Sequence, residues 1–292
     1  ARRRISVESR APTWSVCFKK RETMIIVDGQ RWLWRDRLVF FPSMTESQQL
    51  IETMGNNGIL RIRQVSSPLY EHSNLVQSRS FSTSCVDLTK STAVLYDEMD
   101  SMTKRYVRKA EKLRDRWHIK TNDFRCYEDF LRLYNDFVRL KGHTHPISRQ
   151  RFQEYLKVSD VWVIYFDERP IAGRLLVRDD NVKRVRMILS ATSRFLSNED
   201  SRLSGTLNRY LHWHEFITYK QHGIELYDFG GIGDGSGTVA RFKLSFGGFR
   251  VNDYSYVFAA PLGVIAYRLY RSFSNASVQL RNLGRQQTSH VA

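Results

Sequence analysis

The chain has 292 residues, of which 41% are hydrophobic and 13% aromatic, so it can bury a core and is not a disordered segment. Lys and Arg number 46 against 30 Asp and Glu, a net charge of +16. Residues 1–120 hold 22 basic and 13 acidic side chains, so the excess is spread over both halves. Such a field favours polyanionic partners: nucleic acid, nucleotide diphosphates or an anionic membrane surface.

Cysteine usage and apolar runs bear on location. Three widely spaced cysteines match no metal-site pattern and fit a reducing compartment. The longest apolar stretch, Tyr256–Leu269, contains Pro261 and Arg268 and is too short to cross a bilayer. We therefore expect a cytoplasmic protein without a bound metal, with peripheral contact to an anionic surface left open.

In the first half, apolar alternation and turn residues predict a mixture of strands and helices. Asp28-Gly29 is predicted as a hairpin turn, and Ser43 or Thr45 as the cap of the first helix. The predicted elements are strands at Thr23–Val27, Arg31–Trp34 and Leu38–Phe41, a helix at Thr45–Met54 closed by Gly55, strands at Ile59–Arg63 and Ser84–Leu88, and a long helix from Ser91 or Thr92 to Arg116.

The second half repeats this plan, which predicts two similar α/β units with mixed sheets, residues 1–120 and 121–292, packed against each other. The predicted elements are strands at Ile119–Thr121, Val161–Phe166, Arg169–Val177, Arg184–Ser190 and around Tyr227, with helices at Tyr127–Lys141, Ser148–Leu156 and Leu203–Gln221.

The segment from Tyr227 to Gly248 is the most informative stretch of the sequence. A short buried strand ends at Gly230-Gly231, where another backbone or a ligand can approach closely. Lys243 follows between Phe242 and the Gly247-Gly248 turn. A cation held among aromatic rings is costly unless an anion reaches it. The alternative is a lysine that extends to the surface beside a β-hairpin.

The long helix carries a basic stripe whose members share one helical face. Like charges one turn apart repel, so the stripe favours an anionic partner; a merely solvated face is the alternative. The members are Arg105, Arg108, Lys109, Lys112 and Arg116, and the opposite side presents Tyr106, Val107, Ala110 and Leu113 to a core.

Three further features are weaker. His143 and His145 lack an evident third ligand, and His212 and His214 point to different helix faces, so neither pair predicts a metal site. Arg202–Thr206 resembles half of an acyltransferase pyrophosphate loop, whose backbone amides would bind phosphate. Ser204 or Thr206 as an ordinary helix cap is the alternative.

Four stretches together resemble the Fem family, the aminoacyl-tRNA-dependent peptidyltransferases of peptidoglycan bridge synthesis and the related acyltransferases of the GNAT superfamily. They occur in the family's order over roughly residues 55–260, without the coiled-coil arm of some members. The stretches are Val86–Ser91 with Met102–Lys112; Arg169–Leu175; Leu207–Ile217 with Gly223 and Tyr227–Gly231; and Phe242-Lys243 with Phe246–Gly248.

The resemblance implies two tandem GNAT-like subdomains around a central cleft, and transfer of an amino acid from aminoacyl-tRNA to a peptide-like or small-molecule amine. It implies no cofactor beyond the tRNA co-substrate. Lys243 then stabilises the oxyanion, with Phe242 beside it, and Asp228 either acts as base or ties down the glycine turn. The implied substrate-binding residues are Tyr227, Gly230, Gly231, Arg202, Tyr210 and Trp213, and the implied tRNA-binding residues are Arg105, Arg108, Lys109 and Lys112.

Two other functions stay open at this point. A CoA-dependent N-acyltransferase on the same fold would use Arg202–Thr206 for pyrophosphate, although only half of that motif is present and Leu207 replaces its second small residue. A non-catalytic RNA-binding module would need only the basic surface and would leave the surroundings of Lys243 without a purpose.

Overall fold

The computed structural model describes residues 25–31, 34–54, 58–68, 72–142, 146–261 and 264. Within them, ten strands form one mixed sheet in the order β1-β2-β3-β10-β4-β9-β8-β7-β6-β5, and the pairs β2–β3 and β8–β9 are parallel. The strands are β1 Ile25–Arg31, β2 Trp34–Phe40, β3 Gly58–Val65, β4 Leu75–Asp87, β5 Trp117–Thr121, β6 Ser159–Phe166, β7 Arg169–Asp179, β8 Arg184–Thr192, β9 Leu226–Gly231 and β10 Phe249–Ala259.

Most of the helices begin at the capping residues that the sequence favours. At the first, Ser43 and Glu46 form a reciprocal capping box, so Ser43 rather than Thr45 is the cap. The described helices are α1 Met44–Glu52, α2 Thr92–Asp97, α3 Ser101–Glu111, α4 Phe124–Leu140, α5 Arg149–Leu156, α6 Asn198–Gln221 and α7 Thr238–Leu244, with a 3₁₀ turn at Arg114–Arg116.

The alternation of strands and helices confirms the predicted α/β class with a mixed sheet. One topological detail was not foreseen: β10 comes from the end of the described chain but lies between β3 and β4. The pairing of β9 with both β4 and β8 joins the two halves into one sheet. The boundary at residue 120 stays a prediction.

The predicted turn at Asp28-Gly29 is wrong. Both residues lie within β1, where they pair with Arg37 and Asp36 of β2. Asp28 also forms an ion pair with Arg37, and this cross-strand contact favours strand over turn at the position. Two strands therefore replace the three that were predicted there, and the part of Thr23–Val27 before Ile25 lies outside the described residues, as does Gly55.

The single long helix predicted from residue 91 to Arg116 is also wrong. The helix is interrupted before Asp100. The Asp100 carboxylate accepts a hydrogen bond from the Thr103 amide, so Asp100 caps α3 as a new helix. Past Glu111, the Trp117 indole donates to the Ala110 carbonyl at 2.7 Å and helps end the helix. The largest buried cluster lies beneath α3 and α6 and holds both helices against the sheet.

Candidate functional site

Lys243 lies in the last turn of α7, and only 9% of its surface is exposed. The reading of a surface lysine beside a β-hairpin is therefore wrong. Its ammonium donates to the Gly231 carbonyl at 2.8 Å. Burial lowers the pKa of Lys243 to about 8, with a further contribution from Arg186 that Asp228 partly offsets. The ammonium keeps two N–H donors that have no protein partner among the described residues.

The glycine turn is shaped to bring this lysine to the end of β9. Gly230 has φ +81°, a backbone conformation that residues with a side chain rarely adopt. Its amide donates to the Asp228 carboxylate at 2.7 Å. A Cβ at Gly230 would meet the Met187 carbonyl at 3.4 Å and the Lys243 nitrogen at 3.7 Å. The paired glycines thus open the space in front of the ammonium.

Asp228 is fully buried and fully paired. Its carboxylate accepts from Arg184 and Arg186 at 2.6 Å each, and also from the Thr83 hydroxyl and the Gly230 amide. Burial alone would raise the pKa of Asp228, but Arg186, Arg184 and the hydrogen bonds lower it to about 2. A carboxylate with that pKa is a weak base at neutral pH, so the arrangement favours the alternative role of holding the glycine turn.

A buried polar chain supports the site from the core side of β9. The Tyr227 hydroxyl donates to Glu215 at 2.5 Å and lies 3.0 Å from Nδ1 of His212. Glu215 in turn pairs with Arg174 at 2.8 Å, and neither of these two side chains has any exposed surface. Burial lowers the pKa of His212 well below its usual value, so the ring is neutral. Tyr227 therefore underpins the turn and has no surface open to a substrate.

Phe242 connects the lysine to α6. Its ring lies 5.7 Å from that of His212 and 5.4 Å from that of Phe246, centroid to centroid. On its other side the Arg209 guanidinium sits 4.9 Å from the ring centre. The predicted pair Phe242-Lys243 thus presents one side chain to the glycine turn and one to the helix.

Other predicted residues lie apart from Lys243. The Tyr210 ring is tilted against that of Trp117 with 4.5 Å between the ring centres, and the Trp213 ring meets that of Tyr96 edge-on at 5.7 Å, both between α6 and the α2–β5 region. Arg202 lies in the second turn of α6 and lines a cavity of about 330 Å³. Substrate contact by these three residues stays a prediction.

The predicted pyrophosphate loop at Arg202–Thr206 is wrong. Ser197 caps α6, so the helix begins at Asn198, four residues before Arg202, and the loop residues are already helical. The Thr206 hydroxyl donates back to the Arg202 carbonyl, as in a regular helix. Amides inside a helix are occupied by its own hydrogen bonds and cannot bind phosphate. Ser204 and Thr206 are not the cap either.

Two arginines, Arg63 and Arg79, were not predicted from the sequence as part of a basic cluster. Arg63 of β3 and Arg79 of β4 both pair with Ser255 of β10, so their side chains lie in one row on the same sheet face. Burial lowers the pKa of Arg63, and Arg61, Arg186 and Arg79 lower it further. Neither Arg63 nor Arg79 has a carboxylate partner within the described ranges. The alternation Arg61-Ile62-Arg63 was the available signal.

The basic face of α3 is exposed as predicted for four of its five members, whereas the fifth, Arg116, lies in the 3₁₀ turn beyond the helix and pairs with Asp167. Val107 and Ala110 are buried while the basic side chains are exposed, so the helix is amphipathic with a cationic outer side. Contact of this face with phosphates stays a prediction. The exposed members are Arg105, Arg108, Lys109 and Lys112.

The described residues contain neither a metal-binding cluster nor a helix suited to a membrane. In the described part of the chain, no group of three or more His, Cys, Asp or Glu side chains is close enough together to hold a metal ion. His143 and His145 lie outside that part. Across the same residues, no helix combines the length and the apolar character that a membrane crossing requires.

No protein-family model matches the chain, and no curated protein does either. Among solved structures, FemX is similar at 12% identity over 84% of this chain and 85% of that chain, with a TM-score of 0.56. The C-terminal domain of a putative lysylphosphatidylglycerol synthetase from Agrobacterium fabrum is similar at 13% identity over 84% of each chain, with a TM-score of 0.51. The chain shares its fold with both proteins.

A tandem GNAT protein from the clavulanic acid biosynthesis pathway is also similar, at 9% identity over 69% of this chain and 64% of that chain, with a TM-score of 0.40. The predicted mixed α/β fold is confirmed by the likeness to FemX and to the synthetase domain. Because the fold is common to FemX and to a synthetase domain of another kind, membership of the Fem family itself stays a resemblance.

Proposed function

We propose that the protein is an aminoacyltransferase that moves an amino acid from aminoacyl-tRNA to an amine of a peptide-like acceptor. The observation that carries this proposal is the buried Lys243 ammonium at the glycine turn, with two N–H donors free for a substrate. The fold shared with FemX and with a domain of a putative lysylphosphatidylglycerol synthetase supports it, together with the resemblance of four sequence stretches to the Fem family.

The chemistry follows from the charge that develops. The neutral acceptor amine attacks the ester carbonyl of the donor, and the carbonyl oxygen becomes an oxyanion at a tetrahedral centre. Lys243 in its charged form stabilises that oxygen. The attack itself forms the C–N bond, and collapse of the tetrahedral centre restores the carbonyl and breaks the ester C–O bond, which leaves an amide. The ribose oxygen leaves and takes up the proton that the amine loses.

Asp228, whose charge acts on Lys243, is not suited to act as base, because two arginines hold its carboxylate. The proton can pass from the amine to the leaving ribose oxygen directly or through a water molecule, and this route needs no protein base. The row of Arg63 and Arg79 beside Arg186 supports an acceptor that carries a phosphate or carboxylate group.

The pH dependence tests the role of the lysine. With a pKa of about 8, Lys243 is charged below pH 8 and loses its charge as the pH rises, so the transfer rate should fall above about pH 8. Lys243→Arg keeps its charge and should lose this high-pH limb even if its rate is lower. The measurement is the single-turnover rate from pH 6 to 9, corrected for ester hydrolysis without enzyme. An equal limb in both proteins would assign it to another group.

A labelling experiment decides whether the donor is aminoacyl-tRNA or acyl-CoA. The protein is incubated with a cell extract as the source of acceptors and with either labelled charged tRNA or labelled acetyl-CoA. We expect label from charged tRNA to appear in an alkali-stable amide, since the motif on which the CoA alternative rested is a helix interior. Label from acetyl-CoA alone would contradict the proposal, and binding of tRNA without transfer of label would favour the RNA-binding module.

A further inference from the structure

Helices α3 and α6 pack side by side, and basic residues from both helices line the groove between them. At one end, Lys109 of α3 and Arg202 of α6 line the same cavity of about 330 Å³, together with Arg116. Arg116 is paired with Asp167, whereas Lys109 and Arg202 have no ion-pair partner within the described ranges. Glu199 also lines the cavity and offsets one of these two charges, so the lining keeps a net positive charge of one.

At the other end of the groove a cation is held between two aromatic rings. The Arg209 guanidinium lies 4.7 Å from the ring centre of Tyr106 on α3 and 4.9 Å from that of Phe242 on α7. Its Nε is buried without a hydrogen-bond partner, and one of its terminal nitrogens donates to the Gly205 carbonyl. Burial lowers the pKa of Arg209, and Tyr106 and Asp100 only partly offset this effect.

The two ends form one path. Arg202 and Arg209 are seven residues apart on α6, about two helical turns, so they lie on one face and about 10 Å apart along the axis. Tyr106 and Lys109 are one turn apart on α3 and face the same groove. The path therefore runs from two free cations, past a half-buried cation between rings, to Phe242, whose neighbour in the chain, Lys243, points to the glycine turn.

We propose that this groove binds the single-stranded 3′ end of the donor RNA, with a phosphodiester in the cavity of Lys109 and Arg202 and a base against Tyr106 and Arg209. Alternating cationic and aromatic side chains are the usual means by which proteins hold single strands without reading their sequence. The groove then delivers the terminal ester to Lys243. The inference rests on the proposed function for its donor, but binding of RNA can be measured without transfer.

The test measures binding of a fluorescent single-stranded RNA that ends in CCA, at a series of salt concentrations. The double variant Lys109→Gln/Arg202→Gln should flatten the salt slope by about 1.4, about 0.7 for each lost phosphate contact on a single strand. The matched control, Arg132→Gln/Lys157→Gln, removes the same charge from α4 and the end of α5 and should keep the wild-type slope. Equal slopes in all three proteins would overturn the proposal.

A second variant tests the aromatic end. Arg209→Lys keeps the charge but loses the planar group that stacks, so binding of the same RNA should weaken by about tenfold with little change in salt slope. Unchanged binding by this variant would refute the stacking contact. Displacement of the RNA by equimolar CoA would instead assign the cavity to a coenzyme. Failure of transfer with these binding results intact would overturn the proposed function and leave the groove assignment standing.

Discussion

Lys243→Met is expected to lower the single-turnover transfer rate by about 10²–10³ while leaving the protein folded. Methionine keeps the length and apolar stem of the side chain, so the change removes mainly the charge and the hydrogen bond to Gly231. Loss of one donor to a developing oxyanion has this magnitude in enzymes that form tetrahedral intermediates. Circular dichroism and thermal unfolding of the variant report whether the fold survives.

Lys220→Met is the matched control for this experiment. Lys220 also donates to backbone carbonyls, those of Leu88 and Thr89, but lies in the last turn of α6. Its loss should leave the transfer rate within a factor of about three, because it touches neither the glycine turn nor the α3–α6 groove. A Lys243→Met protein as active as the Lys220→Met protein would remove Lys243 from the mechanism.

The second large effect concerns stability. Arg174→Met should lower the free energy of unfolding by about 3–5 kcal/mol, because it leaves the Glu215 charge buried without its cation. Burial already raises the pKa of Glu215, and Arg174 is the main influence that lowers it. The measurement is urea unfolding followed by circular dichroism at neutral pH.

Two further variants serve as controls for this measurement. Arg174→Met/Glu215→Leu removes both charges and should recover a large part of the loss, since an apolar pair needs no compensation. Arg139→Met breaks an exposed pair with Asp136 and should change the free energy of unfolding by less than about 0.5 kcal/mol. An Arg174→Met protein no less stable than the Arg139→Met protein would show that the buried pair is not needed.

Local signals in the sequence predicted much of the fold. The strands β6 to β8 carry long apolar runs, and Ser148 is a favoured cap, so these elements appear close to their predicted bounds. The break of the helix at Asp100 was missed because its charged and apolar pattern continues through the cap. β10 was missed because its outer half is polar, and only its pairing with β3 and β4 makes it a strand.

The candidate site could be predicted only where its residues are close in sequence. Gly230, Gly231, Phe242 and Lys243 belong to one segment, and the structure brings the lysine to the glycine turn. The partners of Asp228 come from β8 and β4, so no spacing along the chain announces them. Arg209 was overlooked for the same reason, since its two ring partners lie on different helices.

RNase treatment decides whether aminoacyl-tRNA is the donor of the acyl group. A reaction that transfers label is treated with RNase, and CoA thioesters are then added. We expect that RNase stops transfer and that the thioesters do not restore it. Transfer that survives RNase while acetyl-CoA is consumed would show that acyl-CoA, and not aminoacyl-tRNA, is the donor.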